Sequence, residues 1–274
     1  MRLLIAAIAT LLATVAGGAP PAHADTDSAT RYYLSLGDSL ATGTNANGVG
    51  EAFTDNGYAD QLYAALAAGD SKLELKKLGC PGESSASMRF GSQPATTVLS
   101  CGSPRYYKNF LYSKGTQLSE AVGFLEAHKG KVALVTIDIG ANDLSRIDAN
   151  GAVVSCLSES AGCAAQQASV AANLSTILAA LRTAAGPGVP IVGMTYYNVY
   201  LPLDDPLVDA RVNSVNALLA STYAAAGLPV ANVAGAFPTT DTVCALTWFC
   251  TDFDVHPNVA GYGVIADEFL EVLP

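Results

Sequence analysis

Basic residues are scarce in this sequence. Lysine and arginine together number 14, against 24 aspartates and glutamates, and the formal net charge is −10. Nucleic-acid binding relies on clustered lysine and arginine side chains, and no basic run occurs anywhere in the chain. The sequence therefore predicts that nucleic acid is not a partner.

Charged residues of either sign are also few. They make up 14% of the chain, whereas hydrophobic residues make up 50%. A chain this apolar buries enough surface to offset the entropy lost on ordering, which excludes a disordered protein. Glycine-rich phosphate loops, dinucleotide fingerprints and the G-x-S-x-G elbow are all absent. Nucleotide chemistry is therefore excluded, and we expect no cofactor.

Long hydrophobic runs are missing from the sequence except at its N-terminus. Leu3 to Val15 is uncharged, and Ala-His-Ala at positions 22–24 is a small-x-small cleavage site. The run is shorter than the roughly 20 residues that a spanning helix needs. We interpret residues 1–24 as a secretory signal peptide. Residues 25–274 are then expected to be one secreted domain without stable membrane insertion.

Histidine is rare, and the cysteines are few but even in number. An exported chain with six cysteines favours disulfides, although six cysteines allow fifteen pairings. Nearest neighbours favour Cys156 with Cys163 and Cys244 with Cys250, which leaves Cys80 for Cys101. A metal site is disfavoured because only two histidines follow the signal peptide and no C-x-x-C occurs.

Short apolar runs alternate with longer alanine- and leucine-rich segments along the rest of the chain. This alternation predicts a parallel sheet covered by helices on both faces. The predicted strands are 32–36, 73–77, 132–139, 189–196 and 230–234, and the predicted helices are 57–68, 116–128, 164–185, 208–226 and 257–270.

Polar turns follow the first three predicted strands. In an open α/β sheet, ligands bind beyond the carboxyl ends of the strands. These turns are Gly-Asp-Ser-Leu at 37–40, Leu-Gly-Cys-Pro-Gly-Glu-Ser at 78–84 and Gly-Ala-Asn-Asp at 140–143. A fourth segment, His256-Pro257, leads into the last helix. We expect all four to meet at one edge of the sheet, with Tyr196, Tyr197 and Tyr200 as candidate pocket residues.

These four ordered blocks resemble the GDSL or SGNH hydrolases, a family of esterases and lipases. The resemblance implies a flavodoxin-like, three-layer α/β/α fold with a central parallel sheet of about five strands. It further implies that Ser39 is the nucleophile and His256 the base, and that the Ser39 and Gly82 amides with the Asn142 side chain form the oxyanion hole. The blocks around Cys80 and Cys250 are most similar to secreted bacterial members with three disulfides. The implied substrate is a small-molecule or lipid ester, and the implied state is a monomer.

The residues alone support a similar site. A serine hydroxyl needs a base within hydrogen-bond reach at neutral pH. His128 lies in a charged helix end where a solvated role is the default, whereas His256 lies beside carboxylates in a turn. Gly82 lets a backbone amide approach the substrate closely, and Asn142 can donate without carrying charge.

The third member of the triad departs from the family's pattern. The family places an aspartate three residues before the histidine, but that position is Phe253 here. Asp254 is the first candidate to orient the imidazole and Asp252 the second, with a backbone carbonyl as a further alternative.

Three functions remain open at the level of sequence. The first is a secreted serine esterase of lipase type that acts through an acyl-enzyme. The second is a polysaccharide deacetylase of the acetylxylan type. The third is a non-catalytic secreted binding module, which the displaced aspartates motivate because fold alone does not confer function.

Overall fold

The computed structural model describes residues 30–91, 112–147, 153–156 and 163–273. The predicted signal peptide lies outside the described residues. The strands are β1 (Arg31–Gly37), β2 (Leu73–Lys77), β3 (Val132–Asp138), β4 (Ser145–Ile147), β5 (Val153–Ser155), β6 (Ile191–Met194) and β7 (Val230–Ala231).

Ten α-helices are present in the described part of the chain. They are α1 (Ser39–Thr42), α2 (Tyr58–Ala67), α3 (Ser85–Phe90), α4 (Gln117–Ala127), α5 (Cys163–Ala185), α6 (Pro206–Ala225), α7 (Val233–Ala236), α8 (Thr240–Leu246), α9 (Phe249–Asp252) and α10 (Val259–Val272). Two short 3₁₀ helices span Ala141–Leu144 and Leu201–Leu203.

Five parallel strands form the main sheet in the order β2-β1-β3-β6-β7. This is the flavodoxin-like order. Strands are added to one side of β1 and then to the other, and ligands bind beyond the carboxyl ends of β1 and β3, where this order switches. The predicted fold class and strand number are therefore confirmed.

Two apolar clusters cover the two faces of this sheet. Leu34 and Leu36 of β1 pack with residues of α4, α5 and α6 on one face. Tyr33 of the same strand packs with residues of α2 and α10 on the other. Successive side chains of a strand point to opposite faces, so a strand buried on both faces is apolar at nearly every position. This arrangement is the predicted three-layer α/β/α architecture.

The structure differs from the sequence prediction in several segments, including the five short helices α1, α3, α7, α8 and α9, which were not predicted. The strand predicted to reach residue 234 ends at Ala231, because Asn232 accepts a hydrogen bond from the Gly235 amide and begins α7. The segment between residues 144 and 163, for which no strand or helix was predicted, contains the antiparallel pair β4 and β5.

Helix α5 has the length and hydropathy expected of a membrane-spanning helix. No long hydrophobic segment was predicted at this position from the sequence. Seven of its residues are nevertheless buried within the protein, including Val170, Leu174 and Ile177. These side chains pack in the apolar cluster against β3. The helix therefore has the packing of a core helix.

Candidate active site

The turn that carries Ser39 follows β1 directly. Asp38 caps α1 by accepting a hydrogen bond from the Leu40 amide at 2.9 Å, and Ser39 is the first residue of that helix. Gly37 has a φ of +138°, and a Cβ there would lie 2.2 Å from the Asp138 carbonyl oxygen. Only glycine fits this position, because β3 packs tightly against the end of β1.

His256 lies between α9 and α10, at the same edge of the sheet. Its Nδ1 lies 2.8 Å from Asp254 Oδ1, which also accepts the His256 backbone N–H at 3.0 Å. Asp252 is exposed and instead accepts a hydrogen bond from the Thr251 hydroxyl. Of the two candidate carboxylates, Asp254 is therefore the one that contacts the imidazole.

The Asp254 carboxyl is held in its ionised form. Partial burial raises its pKa, but the hydrogen bonds from the His256 ring and backbone outweigh burial and lower the pKa to about 2. An ionised carboxylate at Nδ1 favours the tautomer whose Nδ1 carries the proton, so Nε2 is left as the proton acceptor.

Asn45 and Trp248 hold the segment around His256 in place. Neither residue was predicted from the sequence to contact this histidine. Asn45 Nδ2 approaches His256 Nδ1 to 3.4 Å, and a side-chain hydrogen bond from Asn45 helps to lower the pKa of Asp254, which accepts the Nδ1 proton. Trp248 donates its indole N–H to the Asn45 carbonyl at 2.7 Å, and its backbone N–H bonds to the His256 carbonyl. The positive φ of Asn45, +59°, marks the turn that brings it there.

Two backbone amides in the turns after β1 and β2 are the candidates for the oxyanion hole. Within the described residues, neither the N–H of Ser39 nor that of Gly82 has a hydrogen-bond acceptor. Gly82 occupies the third position of a turn closed by the Glu83 N–H and the Cys80 carbonyl, with a φ of +77°. Proline at the second position and a left-handed glycine at the third are typical of a type II turn.

The Asn142 side chain joins the other two blocks. Its Nδ2 donates to the Glu83 carbonyl at 3.0 Å and to Asp38 Oδ2 at 3.3 Å. Both hydrogens of this amide are thus engaged within the protein. A substrate oxyanion would have to share or displace the longer of these hydrogen bonds, the one to Asp38.

Ser39, Asn142 and His256 line one cavity of about 200 Å³. Much of its wall is apolar or aromatic and comes from the 3₁₀ helix after β3, from the segment after β6 and from α6. These residues include the predicted Tyr196, Tyr197 and Tyr200, together with Leu144, Val199, Val212 and Val215. Gly82 is not among the lining residues.

Within the described part of the chain the Ser39 hydroxyl makes no side-chain hydrogen bond, and a serine–histidine bond is often long before substrate binds.

Two acidic residues with raised pKa values, the buried Glu83 and the half-buried Asp143, lie in the turns after β2 and β3. Burial raises the pKa of Glu83 to about 7, against hydrogen bonds from Ser87 and Gln117 that lower it. Burial likewise raises the pKa of Asp143 to about 6, against hydrogen bonds from Ser85. Carboxyl groups whose pKa lies near neutrality are typical of functional sites, and structural hydrogen-bond networks shift pKa values as well.

The remaining predicted residues lie as follows. The pairs Cys156–Cys163 and Cys244–Cys250 are disulfide-bonded. Cys80 is buried, and its predicted partner Cys101 lies outside the described residues. His128 caps α4 and packs against Tyr32. Among the described residues no cluster of three histidine, cysteine or acidic side chains could hold a metal ion.

Comparison with known proteins identifies the family of the chain. A family described as the GDSL-like lipase/acylhydrolase family matches residues 35–264. No curated protein matches the sequence.

Three solved structures illustrate the fold. A lipase from a goat rumen metagenome is 16% identical, with a TM-score of 0.55 over 89% of this chain and 97% of that one. A lipolytic G-D-S-L protein from Veillonella parvula is 15% identical, with a TM-score of 0.54 over 89% and 98%. An acetylxylan esterase from Geobacillus stearothermophilus is 16% identical, with a TM-score of 0.53 over 89% and 94%.

Proposed function

Because the chain belongs to the GDSL-like lipase/acylhydrolase family, we propose that it hydrolyses carboxylic esters through an acyl-enzyme. The proposal assigns Ser39 as nucleophile, His256 as base and Asp254 as the group that orients the base. The observation that carries it is the shared cavity of Ser39 and His256, together with the 2.8 Å contact between His256 Nδ1 and Asp254.

The proposed reaction has two steps. The Ser39 oxygen attacks the ester carbonyl carbon while His256 Nε2 takes the hydroxyl proton. The tetrahedral intermediate then collapses, the alcohol leaves with the proton from His256, and the acyl group stays on Ser39. In the second step water attacks the acyl-enzyme, again giving its proton to His256, and Ser39 leaves with that proton as the acid is released.

Negative charge on the carbonyl oxygen needs donors that are already in place. The free N–H groups of Ser39 and Gly82 can supply two hydrogen bonds, and Asn142 a third once its bond to Asp38 yields. Preorganised donors of this kind are each worth about 3–4 kcal/mol of barrier.

The size of the cavity favours short acyl chains. The cavity measures about 200 Å³, and much of its wall is apolar. An acetyl group would leave most of this wall uncovered, whereas an acyl chain of a few carbons would cover more of it. We therefore favour a short-chain esterase over a deacetylase.

A series of p-nitrophenyl esters tests this proposal. We expect kcat/KM to rise about threefold to fourfold for each added methylene up to the chain that fills the cavity, and then to level off. Ser39→Ala should lower kcat at least about 1,000-fold, whereas the exposed Ser175→Ala should retain it. Undiminished turnover in Ser39→Ala would overturn the assignment.

Two further measurements separate the alternatives. Release of acetate from acetylated xylan, with negligible turnover of longer esters, would favour the deacetylase. Failure of a fluorophosphonate to label Ser39, under conditions that label a control esterase, would favour the non-catalytic binding module.

A further inference from the structure

Two aspartates are buried side by side beneath Ser39. Asp38 is 1% exposed and Asp138 is fully buried. Their residues are joined by a hydrogen bond from the Asp38 amide to Asp138 Oδ2 at 3.1 Å, and their carboxyl groups also contact each other. Gly37, which pairs with Asp138 across the sheet, permits this approach because any Cβ there would overlap the Asp138 carboxyl.

The surroundings of the pair hold little positive charge. No lysine or arginine among the described residues bonds to either carboxyl. The titratable groups that face the pair come from several elements and are mostly phenols and acids: Tyr33, Tyr58, Glu83, Asp143, Tyr196, Tyr197, Tyr223, His256 and Tyr262. Two adjacent carboxylates without a cation cannot both ionise in so dry a site.

We propose that the pair holds a single proton at neutral pH, that Asp138 carries it, and that the ionised Asp38 positions the Ser39 turn and the Asn142 amide. Asp138 is thus a positioning residue that keeps its neighbour anionic. The place of the proton does not depend on the proposed esterase function, whereas the positioning role rests on it.

The donors around each carboxyl assign the proton to Asp138. Asp38 accepts from the Leu40 amide at 2.9 Å, the Tyr196 hydroxyl at 2.9 Å and Asn142 Nδ2 at 3.3 Å, a set that suits an anion. In the described structure Asp138 accepts from two donors, the Tyr58 hydroxyl and the Asp38 amide, and a side-chain hydrogen bond joins it to the Asp38 carboxyl. A proton between the two carboxyls satisfies both.

The electrostatics agree with this assignment. Burial raises the pKa of both carboxyls. The negative charge of the neighbouring Asp38 raises the pKa of Asp138 further. His256 lies near enough for its positive form to favour ionised Asp38. The anion would therefore also stabilise the imidazolium that forms during attack.

The pH dependence of unfolding tests the location of the proton. At neutral pH the Asp138 carboxyl holds a proton in the folded protein and releases it on unfolding. This group alone should therefore raise the equilibrium constant for unfolding about tenfold for each unit of rising pH. Asp138→Asn should remove that slope between about pH 5 and 8 relative to wild type. The exposed Asp241→Asn should keep it. An unchanged slope in Asp138→Asn would overturn the proposal.

Activity tests the positioning role. Asparagine is neutral like a protonated Asp138, so Asp138→Asn should lower kcat less than Asp38→Asn, which should lower it about tenfold or more by turning a donor toward Asn142. The exposed Asp241→Asn should keep the wild-type kcat. A larger loss in Asp138→Asn than in Asp38→Asn would overturn the assignment of charge. If Asp138→Asn loses the slope but wild type turns over no ester, the proposed function fails and the proton assignment stands.

A measurement on the wild-type protein covers the case in which a variant does not fold. Carbon-13 NMR of a sample labelled at the aspartate carboxyls should show one buried carboxyl that is protonated at neutral pH. Ionised signals from every aspartate would contradict the proposal.

Discussion

At the scale of single residues, the site depends on how each polar group is held. Asp254 lies two residues before His256, and yet its Oδ1 reaches both the ring and the backbone of that residue. A short turn brings the carboxylate back to the imidazole, with Phe253 in the left-handed conformation at a φ of +54°. Asp254 therefore contacts the histidine although it lies one position closer to it than the aspartate of the family's pattern.

We predict that Asp254→Asn lowers kcat about 100-fold or more, because the amide no longer favours the tautomer that leaves Nε2 free. The measurement is steady-state hydrolysis of a short-chain p-nitrophenyl ester. Asp252→Asn is the matched control and should stay near wild type. Equal losses in the two variants would show that Asp254 has no special role.

At the scale of elements, one glutamine joins the start of α4 to the end of β1. Gln117 is fully buried, and it accepts the Gly37 amide at 2.7 Å while donating to the Gly37 carbonyl at 2.9 Å. It also bonds to Glu83 and to the Tyr112 hydroxyl. The first residue of a helix thus satisfies the backbone next to the Ser39 turn.

Gln117→Ala should destabilise the protein by about 1–3 kcal/mol, because it leaves the buried Gly37 amide without an acceptor. Denaturant unfolding measures this loss. Gln167→Ala, at a glutamine that makes only a long surface hydrogen bond on α5, serves as the control. A loss of stability no larger than that of the control would show that Gln117 does not stabilise the contact between α4 and β1.

At the scale of the whole molecule, buried acids couple stability to pH. The raised pKa of Glu83, about 7, arises from burial, and so does that of Asp143, about 6. A carboxyl whose folded pKa is raised stabilises fully below its unfolded value and loses that contribution as pH rises through the folded value. Stability should therefore fall between about pH 4.5 and 7.

Glu83→Gln should recover about 1–3 kcal/mol of the stability that wild type loses over that range, since the amide carries no charge to desolvate. Unfolding free energies at the two ends of the range give the comparison. The exposed Glu271→Gln should leave the wild-type dependence in place. A steeper fall in Glu83→Gln would contradict this account.

Much of the fold could be predicted from the sequence because it follows from short-range pattern. Apolar runs and helical segments located five parallel strands, and the five long helices began and ended within a few residues of prediction, whereas the five short helices were not predicted. The end of the last strand was missed, because the Asn232 cap acts through a single hydrogen bond that hydrophobicity does not reveal. The β4–β5 pair was missed since its strands are only three residues long.

The sequence by itself determined the family, the strand-end blocks and the candidates Ser39, Asn142 and His256, because these depend on residue types at ordered positions. Only the tertiary structure decided which carboxylate contacts His256, that both Asn142 hydrogens are engaged, and that Asp38 lies against Asp138. Those facts depend on distances between groups up to 104 positions apart in the chain. Such distances arise only when separate strands pack into one sheet and exclude water from the groups between them.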